Sequence, residues 1–125
     1  MNNYMAVGRI VRDPELVETD SGKKYCNITL AIPRSYKNAE GVYETDFIDC
    51  KLWSSIAETT AEYCKKGDTV GVKGRIETST YEVDGENKKS FQIVADKVSF
   101  LSSAKVHEKE ESAEEIEKSD DDLEI

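Results

Sequence analysis

The stretch DFIDCKLW (46–53) alternates between two kinds of side chain. With the two-residue period of a β-strand, Ile48, Cys50 and Leu52 share one face. The opposite face carries two large aromatic and two charged side chains, which are Phe47, Asp49, Lys51 and Trp53. The stretch therefore predicts a strand with an apolar core face and a second face that presents aromatic rings among charges.

Two further strands are predicted before this stretch. YMAVGRIV (4–11) is apolar and β-prone, and YCNITLAIP (25–33) alternates apolar with polar or small residues. The strand over 25–33 is expected to pair with 44–53 through a polar loop (35–43), in which Glu-Gly forms the tip.

The alternation with a two-residue period ends at Trp53. SSIAETTAEYCKKGD (54–68) predicts one helix of about three turns. Ser55 followed by Glu58 fits a capping box, and Gly67 behind two lysines fits a helix end.

Alternation returns over 68–81 and again over 90–101, which predicts two more strands. Gly74 falls on the apolar side of the first, where a glycine often marks curvature. Asp84-Gly85 predicts a hairpin tip between them. Within 90–101 the apolar parity shifts, which indicates a bulge.

Three strands, a helix and two strands are the layout of the OB-fold. The predicted fold is all-β, a five-stranded antiparallel barrel with one helix between strands 3 and 4. It occupies residues 1–104. The remaining segment, 105–125, is polar, acidic and without aromatic residues, and is predicted to be a disordered tail.

The negative charge is concentrated in that tail. The chain carries a net charge of −9 at pH 7. Residues 105–125 hold 3 basic and 10 acidic residues, a net of −7, whereas 1–104 hold 14 and 16, a net of −2. The predicted domain is thus nearly neutral and has room for a local basic surface, despite the low overall pI.

The cysteines and the N-terminal sequence indicate the cellular compartment and whether a metal or a membrane is involved. Cys26, Cys50 and Cys64 are odd in number and lack a CxxC spacing, so we expect buried thiols, no metal site and no cofactor. The N-terminus does not resemble a secretion signal, and no segment is long and apolar enough for a membrane span. These features predict a cytoplasmic protein without a membrane partner.

Aromatic and basic residues recur on the non-core faces of the strands predicted over 46–53 and 68–81, and in the loop before the first of them. The rings are Tyr36, Phe47, Trp53 and Tyr81, and the basic residues among them are Arg34, Lys51, Lys73 and Arg75. Rings stack on unpaired bases and basic groups neutralise phosphates, so this set predicts a surface for single-stranded nucleic acid. The alternative for each ring is packing, for Trp53 in a subunit contact or under the helix.

Several of these stretches together resemble a known family. GRIVRDPEL (8–16), NITLAIPRSY (27–36), DFIDCKLW (46–53), AEYCKKGD (61–68) and GVKGRIETSTY (71–81), followed by an acidic C-terminus, are similar to bacterial and bacteriophage single-stranded DNA-binding proteins. The resemblance covers 1–104. It implies an OB-fold protein that binds single-stranded DNA in replication, recombination and repair.

The resemblance also implies roles for particular residues. The family's DNA-stacking aromatics match Tyr36, Phe47, Trp53 and Tyr81, although the family more often has tryptophan at three of these places. It implies a homotetramer, or a dimer, with the first strand in a subunit contact.

The tail resembles the family's partner-recruiting tip, which generally ends in Pro-Phe. Here the last residues are DDDLEI. Asp120, Asp121 and Asp122 would supply the charges and Leu123 and Ile125 the apolar anchors for replication and repair proteins. The alternative is a tail that serves solubility alone.

Two other functional classes remain as alternatives. A nuclease could use Asp49 near Lys51, but the only histidine, His107, lies in the tail, so no Ser/His/Asp or Cys/His set forms within the fold. No catalytic residue is therefore predicted. An OB-fold module that binds RNA, a carbohydrate or another protein is the second alternative, because a fold does not decide its ligand.

Overall fold

The computed structural model describes residues 1–103, so the predicted tail lies outside the described residues. The described part contains six strands and one helix. Their bounds are β1 Tyr4–Ile10, β2 Leu16–Glu18, β3 Lys24–Lys37, β4 Tyr43–Trp53, α1 Ser54–Tyr63, β5 Thr69–Val83 and β6 Glu86–Ser102. Within this part of the chain, no helix is long and apolar enough to cross a membrane.

Five strands close into a barrel. Hydrogen-bonded neighbours run in the order β1-β5-β6-β4-β3, and β3 returns to pair with β1. The pairs are antiparallel except β4 with β6, which run parallel with Cys50 opposite Ile93. With α1 between β4 and β5, which are the predicted strands 3 and 4, this arrangement confirms the predicted OB-fold.

The short strand β2 was not predicted. It pairs with the first residues of β3, with Leu16 opposite Cys26 and Glu18 opposite Lys24. Farther along β3, Ala31 and Leu30 pair with Arg9 and Ile10 of β1, so β2 extends the sheet beside the barrel. Three residues are too few for a recognisable alternation, and the sequence signal there is the turn on either side.

The barrel core consists mainly of residues that the alternation placed on the apolar faces, although Ile76, predicted on the same face as Val70 and Val72, is 40% exposed. The fully buried apolar side chains of the strands are Ile10, Cys26, Ile28, Leu30, Cys50, Leu52, Val70 and Val72. Ala57 adds the apolar side of α1. All three cysteines are free and buried, as predicted.

The β3–β4 hairpin is longer than the sequence suggested. Strand structure continues to Lys37 and resumes at Tyr43, so the predicted loop over 35–43 is reduced to five residues. Its tip holds Glu40 and Gly41, as predicted, with Gly41 at φ +80°. The side chain of Asn38 accepts hydrogen bonds from two backbone N–H groups of the turn, which fixes the tip.

The β5–β6 hairpin also projects as a long arm. Its tip is the predicted Asp84-Gly85 pair, with φ +50° and +80°. A two-residue turn with two positive φ values continues the strand twist, so pairing resumes at Glu86 and not at residue 90.

Gly74 and Asp96 form the irregularity that the sequence predicted. Lys73 pairs with Lys97 and Gly74 with Ala95, so Asp96 is an extra residue in β6. A Cβ atom on Gly74 would lie 2.1 Å from the backbone oxygen of Val94. The glycine is needed because the two strands approach closely at the bulge.

The helix has the predicted length of about three turns, but its N-terminal cap differs from the prediction. It ends at Tyr63, and Trp53 stands at its N-cap without a side-chain capping bond. The predicted capping box is wrong because β4 runs directly into α1, which leaves Ser55 inside the first turn. Glu58 instead accepts a hydrogen bond from Lys24 Nζ at 3.3 Å.

Candidate nucleic-acid interface

The outer face of β3 and β4 is the surface that the opening stretch predicted. Cys50 and Leu52 are buried, whereas Phe47 is 64% exposed and Trp53 is half-buried. Across the pair, Trp53 lies opposite Tyr25 and Phe47 lies opposite Ala31. The predicted division of 46–53 into a core face and an outer face is therefore confirmed.

Trp53 belongs to a cluster of rings and ammonium groups. Its ring centroid lies 5.5 Å from that of Tyr25, with the planes tilted by 49°. Lys51 Nζ lies 4.4 Å from the Tyr25 centroid and 4.8 Å from the Trp53 centroid. Lys23 Nζ, from the turn after β2, lies 5.8 Å from the Trp53 centroid. Trp53 thus does not serve core packing, and its ring lies among cations on the surface.

Tyr25 was missed by the sequence analysis. It starts the alternation of β3, on the same side as Asn27 and Thr29, and that parity alone would have placed it on the non-core face. Phe91 was missed as well. It is 73% exposed on β6, at the base of the β5–β6 arm opposite Thr78.

The outer face continues from β4 onto β6 and β5. Val94 lies opposite Lys51 on one side and Arg75 on the other. It is only 4% exposed although it points away from the core. Two strand spacings separate Lys51 from Arg75, about 10 Å, so the structure brings these two predicted residues onto one surface.

The two predicted arginines are engaged by carboxylates. Arg34 Nη2 lies 2.9 Å from Asp46 Oδ1, and its Nη1 lies 3.4 Å from Glu44 Oε2. Arg75 likewise forms ion pairs with Glu77 and Asp96. Hydrogen bonding to Arg34 holds the pKa of Asp46 below its usual value, and Asp46 raises the pKa of Arg34. A phosphate that approaches either arginine must compete with these carboxylates.

The two predicted lysines are different. Among residues 1–103, neither Lys51 nor Lys73 forms an ion pair with a carboxylate. Lys73 is exposed on β5, opposite Met5 on one side and Lys97 on the other. It therefore lies on the β1–β5–β6 side of the barrel, away from the Trp53 cluster.

Tyr36 and Tyr81 lie on the two hairpin arms. Tyr36 is 61% exposed, in the part of β3 where pairing with β4 is interrupted between Pro33 and Lys37. Tyr81 is half exposed opposite Lys88, six residues or about 20 Å along β5 from Arg75. The structure thus groups Lys51 and Trp53 closely, and it presents Tyr36 and Tyr81 at a distance from them.

A hydrogen-bonded chain stiffens the centre of the face. Arg12 Nη2 donates to Thr29 Oγ1 at 2.9 Å, and Thr29 Oγ1 donates to Asp49 Oδ1 at 2.6 Å. Thr29 is 7% exposed. Asp49 is therefore linked to the guanidinium of Arg12 through the hydroxyl of Thr29.

Known proteins were compared with the chain at the level of sequence. The model of the Single-strand binding protein family matches residues 1–101. The chain belongs to this family. Members of the family are non-enzymatic DNA-binding proteins, which confirms the expectation that the chain is not an enzyme.

Individual relatives support the family assignment. Single-stranded DNA-binding protein B of Bacillus subtilis is 46% identical over 101 residues, which cover 80% of this chain and 89% of that protein. Single-stranded DNA-binding protein 3 of Listeria innocua is 44% identical over 104 residues, which cover 82% of this chain and 65% of that protein.

A solved structure has the same fold. A deletion mutant of the single-stranded DNA binding protein from Thermus aquaticus superposes with a TM-score of 0.68 over 81% of this chain and 50% of its own. At 24% sequence identity this likeness concerns the fold alone.

Proposed function

We propose that the chain binds single-stranded DNA without sequence preference and protects it during replication, recombination and repair in the cytoplasm. Membership of the Single-strand binding protein family supports this function. The observation that carries it is the outer face of β3 and β4. There Phe47 and Trp53 are turned away from the core, and Lys51 lies among the rings.

The chemistry of this face fits an unpaired strand. Bases that are not paired expose their ring faces, which stack on aromatic side chains for about 1–3 kcal/mol per base. Phe47, Trp53, Tyr36 and Tyr81 are the proposed stacking residues. Every base has a ring face, so stacking does not select a sequence.

The proposed phosphate contacts come from Arg34, Lys51, Lys73 and Arg75. We expect Lys51 and Lys73 to contribute more than the arginines, because the carboxylates next to Arg34 and Arg75 already compensate those charges. Each phosphate that is neutralised releases counterions, so affinity falls as salt increases.

We also propose that the chain forms a homo-oligomer, a tetramer or a dimer, through β1. Met5 is 73% and Val7 is 56% exposed on its outer face. Between Tyr4 and Gly8, β1 has a pairing partner on one side only, since its pairs with β3 begin at Arg9. An apolar face beside an unpaired strand edge favours association with a second copy.

The acidic C-terminus is proposed to recruit replication and repair proteins. Its proposed contacts are Asp120, Asp121, Asp122, Leu123 and Ile125. Acidic charge around two apolar anchors suits a basic pocket with an apolar floor on the partner.

The decisive experiment is a titration of Trp53 fluorescence with poly(dT) at several salt concentrations. Trp53 is the only tryptophan of the chain, so the signal reports this face directly. We expect quenching on binding, and a log–log slope of about −0.7 per neutralised phosphate. Tighter binding of poly(rU) than of poly(dT) would favour the alternative of an RNA-binding module, and no binding of either would reject both.

A further inference from the structure

The ring faces of Tyr25 and Trp53 are occupied by ammonium groups. Lys51 Nζ contacts both rings, at 4.4 Å and 4.8 Å from their centroids. A base that stacks on a ring lies at about the distance of van der Waals contact above it, nearer than either of these separations. The ammonium of Lys51 therefore occupies the space that a base on these faces would need.

We propose that Tyr25 is a further base-stacking residue, and that the arriving base displaces the Lys51 ammonium from the two rings to a DNA phosphate. The inference rests on the proposed function. It adds Tyr25 to the four aromatic residues that were expected to stack on bases. It also adds a step in which Lys51 leaves the rings when a base arrives.

The exchange is favourable because of what holds Lys51. Among the described residues its ammonium has ring faces as partners and no carboxylate. An exposed cation–π contact is weaker than the stacking of a base on a ring, so a base displaces the ammonium group from the ring faces. The four-carbon stem of lysine lets the ammonium move several ångströms while its backbone stays in β4.

The same exchange is not open to the arginines of this surface. Arg34 and Arg75 each hold two carboxylates, and moving either one would leave two negative charges beside the DNA. Lys51 leaves neutral rings behind when it moves. It can therefore form a new phosphate contact without uncovering a repulsive group.

The role of Tyr25 is tested with Tyr25→Leu and Tyr25→Phe, and anisotropy of a fluorescein-labelled oligo(dT) is the readout. We expect the leucine variant to lose about tenfold in affinity and the phenylalanine variant to stay within about twofold of wild type, since stacking needs the ring and not the hydroxyl. Tyr63→Leu is the matched control, because Tyr63 is 67% exposed on α1 and should bind as wild type. Wild-type affinity of Tyr25→Leu, or an equal loss in Tyr25→Phe, overturns this role.

The displacement of Lys51 is tested with Lys51→Met over a range of salt. We expect a log–log slope shallower by about 0.7, because one phosphate contact is gone. At low salt the variant should bind more weakly than wild type. At high salt it should bind equally well or more tightly, because a base no longer has to displace the ammonium of residue 51 from the rings. An unchanged slope with the same loss at every salt overturns the exchange.

Wild-type protein distinguishes a failure of the proposed function from a failure of this inference. If it fails to bind oligo(dT), the proposed function itself is wrong. If wild type binds and the Tyr25 and Lys51 variants behave like it, only this inference is wrong. Thermal unfolding of each variant shows whether a loss of affinity comes from a loss of fold.

Discussion

At the scale of single residues, neighbours decide what a basic side chain can do. Arg34 and Lys51 were predicted to act alike, yet Arg34 lies against Asp46 and Glu44 whereas Lys51 lies against two rings. A guanidinium between carboxylates brings little net positive charge to a phosphate. An ammonium on neutral rings keeps its full charge available.

Replacing Trp53 by alanine is expected to weaken binding to oligo(dT) by about 1–3 kcal/mol, because one stacking face is lost. Stability should fall by less than about 1 kcal/mol, since the ring contacts Tyr25 and the ammonium groups of Lys23 and Lys51 and not the core. Titration and urea unfolding measure the two effects. A large loss of stability with unchanged affinity would show that Trp53 is a packing residue.

Cys50 predicts a pH dependence. Burial, and then the charge of Asp49, raise the pKa of its thiol from 9.0 to about 11. Below pH 9 the thiol is protonated in both states, so its contribution to stability is fully present. Between pH 9 and 11 the unfolded state loses the proton first, and the free energy of unfolding must fall as pH rises.

Urea unfolding between pH 7 and 10.5 measures this effect, and Cys50→Ala serves as the control because other groups also titrate there. The difference in unfolding free energy between wild type and the variant should shrink above pH 9. A difference that is constant across the range would contradict the assignment.

At the scale of elements, two long hairpins carry rings beyond the barrel. Tyr36 lies on the hairpin of β3 and β4, and Tyr81 lies on the hairpin of β5 and β6. A strand covers about 3.3 Å per residue, so the six residues from Arg75 to Tyr81 widen the surface by about 20 Å. If Tyr36 and Tyr81 stack on bases as proposed, the arms set how long a strand of DNA the domain contacts.

The bulge at the base of the second arm predicts a strong difference between two glycines. Gly74→Ala should destabilise the fold by about 1–3 kcal/mol or more, because its Cβ would clash with the backbone oxygen of Val94 in β6. Gly71→Ala is the control, since the nearest atoms to its Cβ are side chains at 3.8 Å. Thermal unfolding compares the two, and equal costs would argue against a close strand approach at Gly74.

At the scale of the whole molecule, charge separates the chain into two parts. The net charge of residues 105–125 is −7, against −2 for the rest. A tethered acidic segment has a high effective concentration at a basic surface, so it competes with DNA. DNA binding by the domain and partner recruitment by the acidic C-terminus, both proposed above, are therefore expected to be coupled through charge.

Deleting 105–125 should tighten binding to oligo(dT), most at low salt, where charges are least screened. The variant with Leu123 and Ile125 both replaced by serine is the matched control. It keeps every charge, so its DNA affinity should stay near that of wild type while its capture of replication or repair proteins is lost. Wild-type DNA affinity of the truncated chain at low salt, with undiminished capture, would leave the tail as a solubility device.

The proposed association through β1 predicts that a charge placed on its outer face weakens the oligomer. Val7→Lys should shift the protein toward the monomer, because Val7 is exposed beside Gly71 and Leu101 on the apolar outer face. Val83→Lys is the control at a similarly exposed valine on the β5–β6 arm. Light scattering after size exclusion measures the mass, and an unchanged oligomer in both variants would exclude this face of β1.

The sequence by itself determined the order of the long strands, the helix between them and the face on which each side chain of 46–53 lies. Alternation carries this information because side chains of a strand point to opposite sides with a period of two. The turns at Glu40-Gly41 and Asp84-Gly85 were equally local, since the positive φ values of Gly41, Asp84 and Gly85 favour glycine and aspartate. These features depend on neighbours in the chain.

Only the tertiary structure decided which of the predicted residues share a surface. The register of β3 against β4 joins Tyr25 to Trp53 across 28 residues of sequence, and the parallel pairing of β4 with β6 brings Lys51 near Arg75. Strand pairing also places Asp46 and Glu44 of β4 at Arg34, and Asp96 of β6 at Arg75. Contacts between strands depend on register and closure of the barrel, and neither is encoded within a single strand.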